Sequence, residues 1–153
     1  MRPRSLSWPS PAPAGSARAT VALVDGADDV NQGLTKVLNF NFDETGPDRV
    51  VLSWTSGPEH LQPYGIVHGG VYCAAAETSA SIGAALWFGE RGKVVGVSNH
   101  TNFLRSVREG ERVVATATPL HRGRSQQLWQ IEMRDTQDRL VSRGEVRLQN
   151  LGG

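Results

Sequence analysis

One acidic residue, Glu77, stands in an apolar stretch of the chain and is a candidate general base. It is the only Asp or Glu between Glu59 and Glu90, and no Lys or Arg accompanies it there. A carboxylate among alanines loses its hydration unless another group satisfies it. General acid–base chemistry uses such a titratable group within reach of the reacting atoms. From the residue alone, a glutamate on the solvated face of a helix remains the alternative.

A second candidate is the run His68-Gly69-Gly70, eight residues upstream. Glycines at a helix start let another group approach the backbone closely. The first N–H groups of a helix are free and carry partial positive charge. Such donors can form an oxyanion hole for a carbonyl oxygen. A plain loop-to-helix junction is the alternative.

The spacing of Gly69 and Glu77 predicts an assembly of two chains. Eight residues are about 12 Å along an α-helix, so one carbonyl cannot contact both residues of the same chain. A shared substrate then requires Glu77 from a second subunit. We expect a two-fold dimer with two equivalent sites and the helices side by side. Small helix residues permit this packing: Ala74–Ala76, Ala80, Gly83 and Ala84.

Two further polar residues join this set. Ser81 follows Glu77 by four residues and so shares its helix face, where the hydroxyl can hold a water or the carboxylate. Gln62 lies in the loop before the helix, and its amide can donate to a substrate carbonyl. Cys73 has no cationic neighbour, which favours a small core residue over a nucleophile. The four histidines are scattered, and no metal site or cofactor is predicted.

The elements that must position these residues follow from patterning. Residues 69–88, rich in Ala and Ser and without proline, predict one helix that ends at Gly89. Strands are predicted at 35–42 and 49–55 as a hairpin, and at 94–104, 112–120, 127–134 and 140–148. Short loops between the last four predict antiparallel neighbours. The fold class is α+β, with one long helix on an antiparallel sheet of about five to six strands.

Composition limits the classes of function. The 153 residues carry 16 Lys+Arg and 15 Asp+Glu, and this balance argues against a nucleic-acid binder. A single cysteine excludes an intrachain disulfide, and no apolar run is long enough to span a membrane. Residues 1–18, rich in Pro, Ser and Ala, predict a disordered tail before a single domain at 19–153. We expect a cytoplasmic protein.

These motifs resemble the hotdog-fold thioesterases, closest to the phenylacetic-acid-degradation and 4-hydroxybenzoyl-CoA thioesterase branch. The resemblance covers roughly residues 34–150 and includes His68-Gly69-Gly70 with Glu77 in the helix. It implies hydrolysis of an acyl-CoA thioester at a subunit interface of a dimer or a dimer of dimers. Glu77 would be general base or nucleophile, and Gly69 would supply the oxyanion N–H. Gln62, Ser81 and His68 would assist or build the site.

An acyl-CoA substrate also needs ligands for its phosphates. The segment Arg122-Gly123-Arg124-Ser125 combines two guanidiniums, a glycine and a hydroxyl in one turn, although a solvated hairpin turn is equally compatible. Asn102 and Arg105 are further candidates.

Two other functions remain open. One is a non-catalytic acyl-CoA-binding module, and the other is a hotdog hydratase or dehydratase. The presence of Glu77 disfavours the first. The second needs a paired His and carboxylate, which His68 and Glu77 could form only across subunits.

Overall fold

The computed structural model describes residues 32–152, in which one long helix packs on a six-stranded sheet. In chain order the elements are helix α1 (Leu34–Val37), strands β1 (Asn41–Thr45) and β2 (Val50–Thr55), helix α2 (Gly69–Phe88), and strands β3 (Gly92–Phe103), β4 (Arg112–Arg122), β5 (Gln126–Asp135) and β6 (Leu140–Gly152). Single 3-10 turns precede and follow α2, at Pro58–His60 and Gly89–Arg91. The predicted tail at 1–18 lies outside the described residues, as do the first residues of the predicted domain.

The long helix has the predicted bounds. It begins at Gly69, ends at Phe88, and is followed by Gly89 in the left-handed region at φ 57°. A glycine adopts this conformation without the steric penalty of a side chain, which is why the helix stops there. One face of α2 is buried against the sheet and consists mostly of small residues: Val71, Tyr72, Ala75, Ala76, Ser79, Ala80, Gly83, Ala84 and Phe88.

Small residues let the helix lie close to the strands beneath it. A Cβ on Gly83 would collide with the indole ring of Trp129, a fully buried residue of β5. Trp54 of β2 is equally buried near the start of the helix, where its ring packs edge-on against Tyr72, with 6.1 Å between the centroids. The core under the alanine-rich helix therefore includes two large indoles.

The prediction of a strand at 35–42 is wrong for its first part. Residues 34–37 form the short helix α1, and β1 starts only at Asn41. Between them, Asn39 has φ 49°, a left-handed conformation that cannot continue an extended strand. Alternating apolar residues occur here because Leu38 and Phe40 reach the core from a turn. The other five strands and the β1–β2 hairpin are confirmed.

The prediction that short loops make all four last strands neighbours is wrong for β3 and β4. The sheet order is β1-β2-β4-β5-β6-β3, with every pair antiparallel, so β3 lies at the far edge beside β6. Three inter-strand steps of about 4.8 Å separate β3 from β4, and the eight residues 104–111 can span about 26 Å. The connection is long enough to cross the end of the sheet. Its length therefore does not require β3 and β4 to be neighbours.

Within residues 32–152, strand β3 forms one edge of the sheet and carries exposed apolar side chains. Val95 and Val97 are about half exposed, and Phe103 is 55% exposed. Edge strands present unpaired backbone groups that can pair with another chain. No helix in residues 32–152 is both long and apolar enough to cross a membrane.

Candidate active site

The start of α2 is fixed by the side chain of His68. The Nδ1 atom of this side chain accepts a hydrogen bond from the Gly70 N–H at 2.8 Å, and the backbone N–H of His68 donates to the His60 carbonyl at 2.8 Å. A ring nitrogen that accepts from the backbone is unprotonated, so in neutral His68 the proton is on Nε2. His68 is therefore the N-cap of the helix, a local role that the sequence analysis did not assign.

Gly69 presents the free backbone donor expected for an oxyanion hole. Its N–H has no hydrogen-bond acceptor among residues 32–152, while the next N–H is taken by His68. A Cβ at this position would lie 2.6 Å from the ring of Phe103, so the packing requires glycine. The N–H of Gly69 is thus available to a ligand at a helix N-terminus, where partial positive charge favours an oxygen that becomes negative.

Glu77 lies on the flank of α2 that faces β3 and is half-buried. Its Oε2 accepts a hydrogen bond from Asn99 Nδ2 at 3.2 Å. Its Oε1 lies over Gly96 and has no donor among the described residues. Glu77 is therefore neither an isolated buried carboxylate nor a freely solvated one, because one oxygen is held and the other is open.

The structure also places the two assisting residues. Ser81 is half-buried one turn after Glu77, and its side chain makes no hydrogen bond within residues 32–152. Gln62 lies in a tight turn, where its N–H donates to Ile66 O at 2.9 Å and its carbonyl accepts from Gly65 N at 2.9 Å.

A cleft of about 250 Å³ brings Gln62, Gly69 and Arg105 together. Tyr72 and Phe103 supply its aromatic wall. Glu77 does not line it, in agreement with the separation of Gly69 and Glu77 along one helix. This cleft therefore holds one part of the predicted site but lacks the carboxylate.

Tyr72 lines this cleft and has a notable hydroxyl group. The residue is buried, and its hydroxyl has no hydrogen-bond partner within the described part of the chain. Burial, reinforced by the negative charge of Glu111, raises the pKa of Tyr72 to about 12. The phenol is therefore neutral at physiological pH.

The two arginines of the turn between β4 and β5 lie in different environments. Both Nη atoms of Arg122 lie 2.9 Å from Asp48 Oδ1, and Nη2 also donates to Pro47 O at 2.6 Å. The Arg122 guanidinium also lies over the rings of Trp87 and Trp129. Arg124 and Ser125 are exposed. Among the predicted CoA ligands of this turn, Arg122 is thus already engaged within its own chain.

A buried polar network supports this turn and was not predicted. Asn150 Nδ2 donates to Gly123 O at 3.0 Å and to Arg124 O at 3.3 Å. Asn150 Oδ1 accepts from Gln127 Nε2 at 2.8 Å, and Gln127 Oε1 accepts from Trp129 Nε1 at 3.0 Å. An amide at an inward position of β5 or β6 was the available sequence signal, since inward positions are otherwise apolar.

Asn102 is separated from the cleft at Gly69. It lies with His100, Arg143 and Glu145 along another cleft, of about 240 Å³, formed by β3 and β6. Arg105, by contrast, lines the cleft beside Gly69. The structure therefore groups Arg105 with Gln62 and Gly69, and leaves Asn102 and the turn at 122–125 apart from them.

The site also contains two residues that sequence reasoning missed, Asn99 and Gly96. Both belong to β3 and face Glu77. Their role depends on β3 lying beside α2 and on an irregularity in the strand, neither of which is visible as a local motif.

Known proteins are similar to this chain in sequence and in fold. Residues 64–142 match the family model of the thioesterase superfamily. The Mycobacterium tuberculosis protein Rv1847 is 52% identical over 117 residues, which cover 74% of this chain and 83% of that protein.

Two further relatives carry more specific names. The 1,4-dihydroxy-2-naphthoyl-CoA hydrolase of Escherichia coli is 37% identical over 103 residues, 67% of this chain and 75% of the relative. The solved structure of the Haemophilus influenzae thioesterase HI1161 superposes with a TM-score of 0.72 at 34% identity, covering 76% of this chain and 81% of that one. With the long helix on its antiparallel sheet, these matches confirm the hotdog fold, and the chain belongs to the thioesterase superfamily as a thioester hydrolase.

Proposed function

We propose that the enzyme hydrolyses an acyl-CoA thioester to the free acid and CoA, with Glu77 and Gly69 in the active site. The observation that carries this is that the Gly69 N–H at the helix start and Oε1 of Glu77 on the same helix have no hydrogen-bond partner among residues 32–152. Attack on a thioester carbonyl requires two groups, a donor for the oxyanion and a carboxylate. The 37%-identical E. coli relative, named for a CoA thioester substrate, supports the class of substrate.

The active site is proposed to be shared by two subunits. Gly69 and Glu77 are about 12 Å apart along α2, too far for one carbonyl and its attacking water. In the described part of the chain, strand β3 is an edge strand of 12 residues that runs alongside Glu77. Pairing of two such edges would extend the sheet and bring Glu77 of one subunit towards Gly69 of its partner. A dimer with two equivalent sites is the minimum assembly, and two dimers can form a tetramer.

The proposed reaction uses each group at a defined step. The substrate carbonyl oxygen accepts from the Gly69 N–H, and Gln62 donates to the same oxygen. Glu77 of the other subunit takes a proton from a water that Ser81 holds, and the water oxygen bonds to the carbonyl carbon. The C–S bond then breaks, and the proton passes to the CoA sulfur. His68 acts by capping the helix that presents Gly69.

A nucleophilic variant uses the same groups in a different order. Glu77 attacks the carbonyl carbon directly, the C–S bond breaks and CoA leaves as the thiolate, which takes a proton from water. Water then hydrolyses the resulting mixed anhydride. Both routes need Glu77 ionised and Gly69 unobstructed.

The CoA phosphates are proposed to bind where basic groups are free. Arg105, Arg124 and Ser125 are exposed and make no side-chain hydrogen bond or ion pair within residues 32–152, so they are the proposed phosphate ligands. Gly123 and Arg122 are proposed to hold the turn that presents Arg124. Asn102 is a further candidate along β3. We also propose that the enzyme acts in the cytoplasm, where CoA thioesters are formed.

The test is thiol release from a panel of short-chain, long-chain and aromatic acyl-CoAs. Glu77→Gln and Glu77→Ala are compared with wild type, and each variant is checked for folding and oligomeric state. Glu90→Gln removes the same charge from an exposed residue beyond the helix and is the matched control.

We expect activity on at least one acyl class, with kcat lower by several orders of magnitude in both Glu77 variants and unchanged in Glu90→Gln. No thiol release from any substrate would overturn the proposal. Tight binding of a non-hydrolysable acyl-CoA would in that case indicate the non-catalytic binding module.

A further inference from the structure

We infer that Asn99 is the residue that orients the Glu77 carboxylate for the reaction, and that Thr101 fixes the orientation of Asn99. The inference rests on the proposed role of Glu77. Asn99 Nδ2 lies 3.2 Å from Glu77 Oε2 and 3.0 Å from the carbonyl of Cys73, which precedes Glu77 by one helical turn. One amide thus joins the strand both to the carboxylate and to the backbone of its helix.

Thr101 holds the Asn99 amide in the orientation that presents its NH₂ group to the helix. Thr101 Oγ1 donates to Asn99 Oδ1 at 2.7 Å. An amide has one accepting oxygen and one donating nitrogen, so an oxygen held by Thr101 leaves the NH₂ group directed at Glu77. The opposite orientation would place an amide oxygen against a carboxylate oxygen, which is repulsive.

A bulge in β3 brings Gly96 and Asn99 to the same face of the strand, the one that faces Glu77. In a regular strand, residues three positions apart lie on opposite faces, yet Gly96 and Asn99 both face Glu77. The pairing of β3 with β6 shifts register between Gly96 and Ser98, so Val97 is an extra residue. Such bulges re-aim side chains and often lie beside active sites.

Asn99 and Gly96 act on different oxygens of the Glu77 carboxylate. Asn99 holds Oε2, while Gly96 leaves space for Oε1, which has no donor among the described residues. Oε1 is therefore the oxygen that takes the proton from water or attacks the carbonyl carbon. Asn99 is a positioning residue, because it acts on the substrate only through Glu77.

The test is a double-mutant cycle with Asn99→Leu and Glu77→Gln. Hydrogen bonds to charged groups are stronger than those between neutral groups, and a misplaced catalytic group reacts more slowly, so Asn99→Leu is expected to lower kcat by about 10- to 100-fold, with KM changed by less than about threefold. In the Glu77→Gln background the same change is expected to cause no further loss of kcat. Equal losses in both backgrounds, or a rise in KM alone, would overturn the inference.

Thr101 supplies the conservative rescue. Thr101→Val keeps the shape and removes the hydroxyl, and Thr101→Ser keeps the hydroxyl. We expect kcat to fall in the first variant and to stay near wild type in the second. Equal kcat in both variants would show that the hydroxyl does not hold Asn99.

A second readout does not need activity. In protein labelled with ¹³C at glutamate carboxyls, the resonance of Glu77 is identified by its loss in Glu77→Gln. It should move in Asn99→Leu and stay in place in Ser98→Ala, a neighbouring change on the same strand. A resonance that does not respond to Asn99→Leu overturns the inference. Absence of thiol release in wild type would refute the proposed function alone, and this measurement would still decide the role of Asn99.

Discussion

The Oε1 atom of Glu77 lies where a side chain on Gly96 would begin. A Cβ at Gly96 would overlap this oxygen, so the carboxylate keeps its position only because the strand beneath it has no side chain there. The atom in conflict is the far end of a flexible side chain rather than backbone, and the helix and strand need not separate to relieve it.

Gly96→Ala should therefore displace Glu77 without unfolding the protein. We expect kcat for thiol release to fall by about 10- to 100-fold, because misplacement of a catalytic group by about 1 Å has effects of this size. The free energy of unfolding should change by less than about 1 kcal/mol. Steady-state kinetics and chemical denaturation of the same preparation measure both. Full activity in Gly96→Ala would contradict the position assigned to Glu77.

Mixing of two inactive variants should restore activity if the site is shared between subunits. Glu77→Gln removes the carboxylate, and Gly69→Ala pushes against the Phe103 ring beside the oxyanion donor. Random co-assembly makes half of the dimers mixed, and each mixed dimer has one intact site. We expect about one quarter of the wild-type activity. If both groups acted within one chain, the mixture would stay as inactive as its components.

The two arginines of the β4–β5 turn should have different effects when replaced. Arg122 is 18% exposed in its side chain and bound to Asp48 and Pro47 O, so Arg122→Ala should lower the free energy of unfolding by about 1 to 3 kcal/mol. Arg124 is exposed, and Arg124→Ala should leave stability unchanged and raise KM for acyl-CoA by about tenfold. Thermal unfolding and KM for a CoA ester, compared with a short pantetheine ester, separate the two roles. An unchanged KM in Arg124→Ala would remove it from the phosphate site.

Tyr72→Phe should be tolerated or stabilising at neutral pH. The hydroxyl is buried without a partner among the described residues, and an unsatisfied buried group costs about 1 to 3 kcal/mol. Its removal should therefore leave the free energy of unfolding unchanged or raise it.

The same substitution should also change the response to alkali. The pKa of Tyr72 is raised from 10.0 to about 12 in the folded protein, because the buried phenolate is disfavoured. Since the folded state holds this proton more tightly, stability is lost as the pH rises from about 10 through 12. Tyr72→Phe should lose less stability than wild type over that range, by up to about 2 to 3 kcal/mol. If the free energy of unfolding of wild type and of Tyr72→Phe fell equally between pH 10 and pH 12, this prediction would be contradicted.

Local patterns were sufficient to predict most of the elements. The helix at 69–88 follows from a proline-free run of small residues that ends at glycine, and five strands follow from alternation. The strand predicted at 35–42 was wrong in its first half because Asn39 adopts a left-handed conformation that allows apolar side chains to enter the core from a turn. Backbone conformation at a single residue is decided by its packing as much as by its type.

The sequence by itself determined that Gly69 and Glu77 lie on one helix about 12 Å apart, because helical rise is a local property. It also determined that the chain resembles a thioesterase. Only the tertiary structure decided that β3 lies at the edge of the sheet beside β6, where Asn99 contacts Glu77 and the Phe103 ring packs against the Cα of Gly69. It also decided that Arg122 is held by Asp48, 74 residues away along the chain. Such contacts depend on which distant segments pack together, and loop length and residue type are compatible with several arrangements.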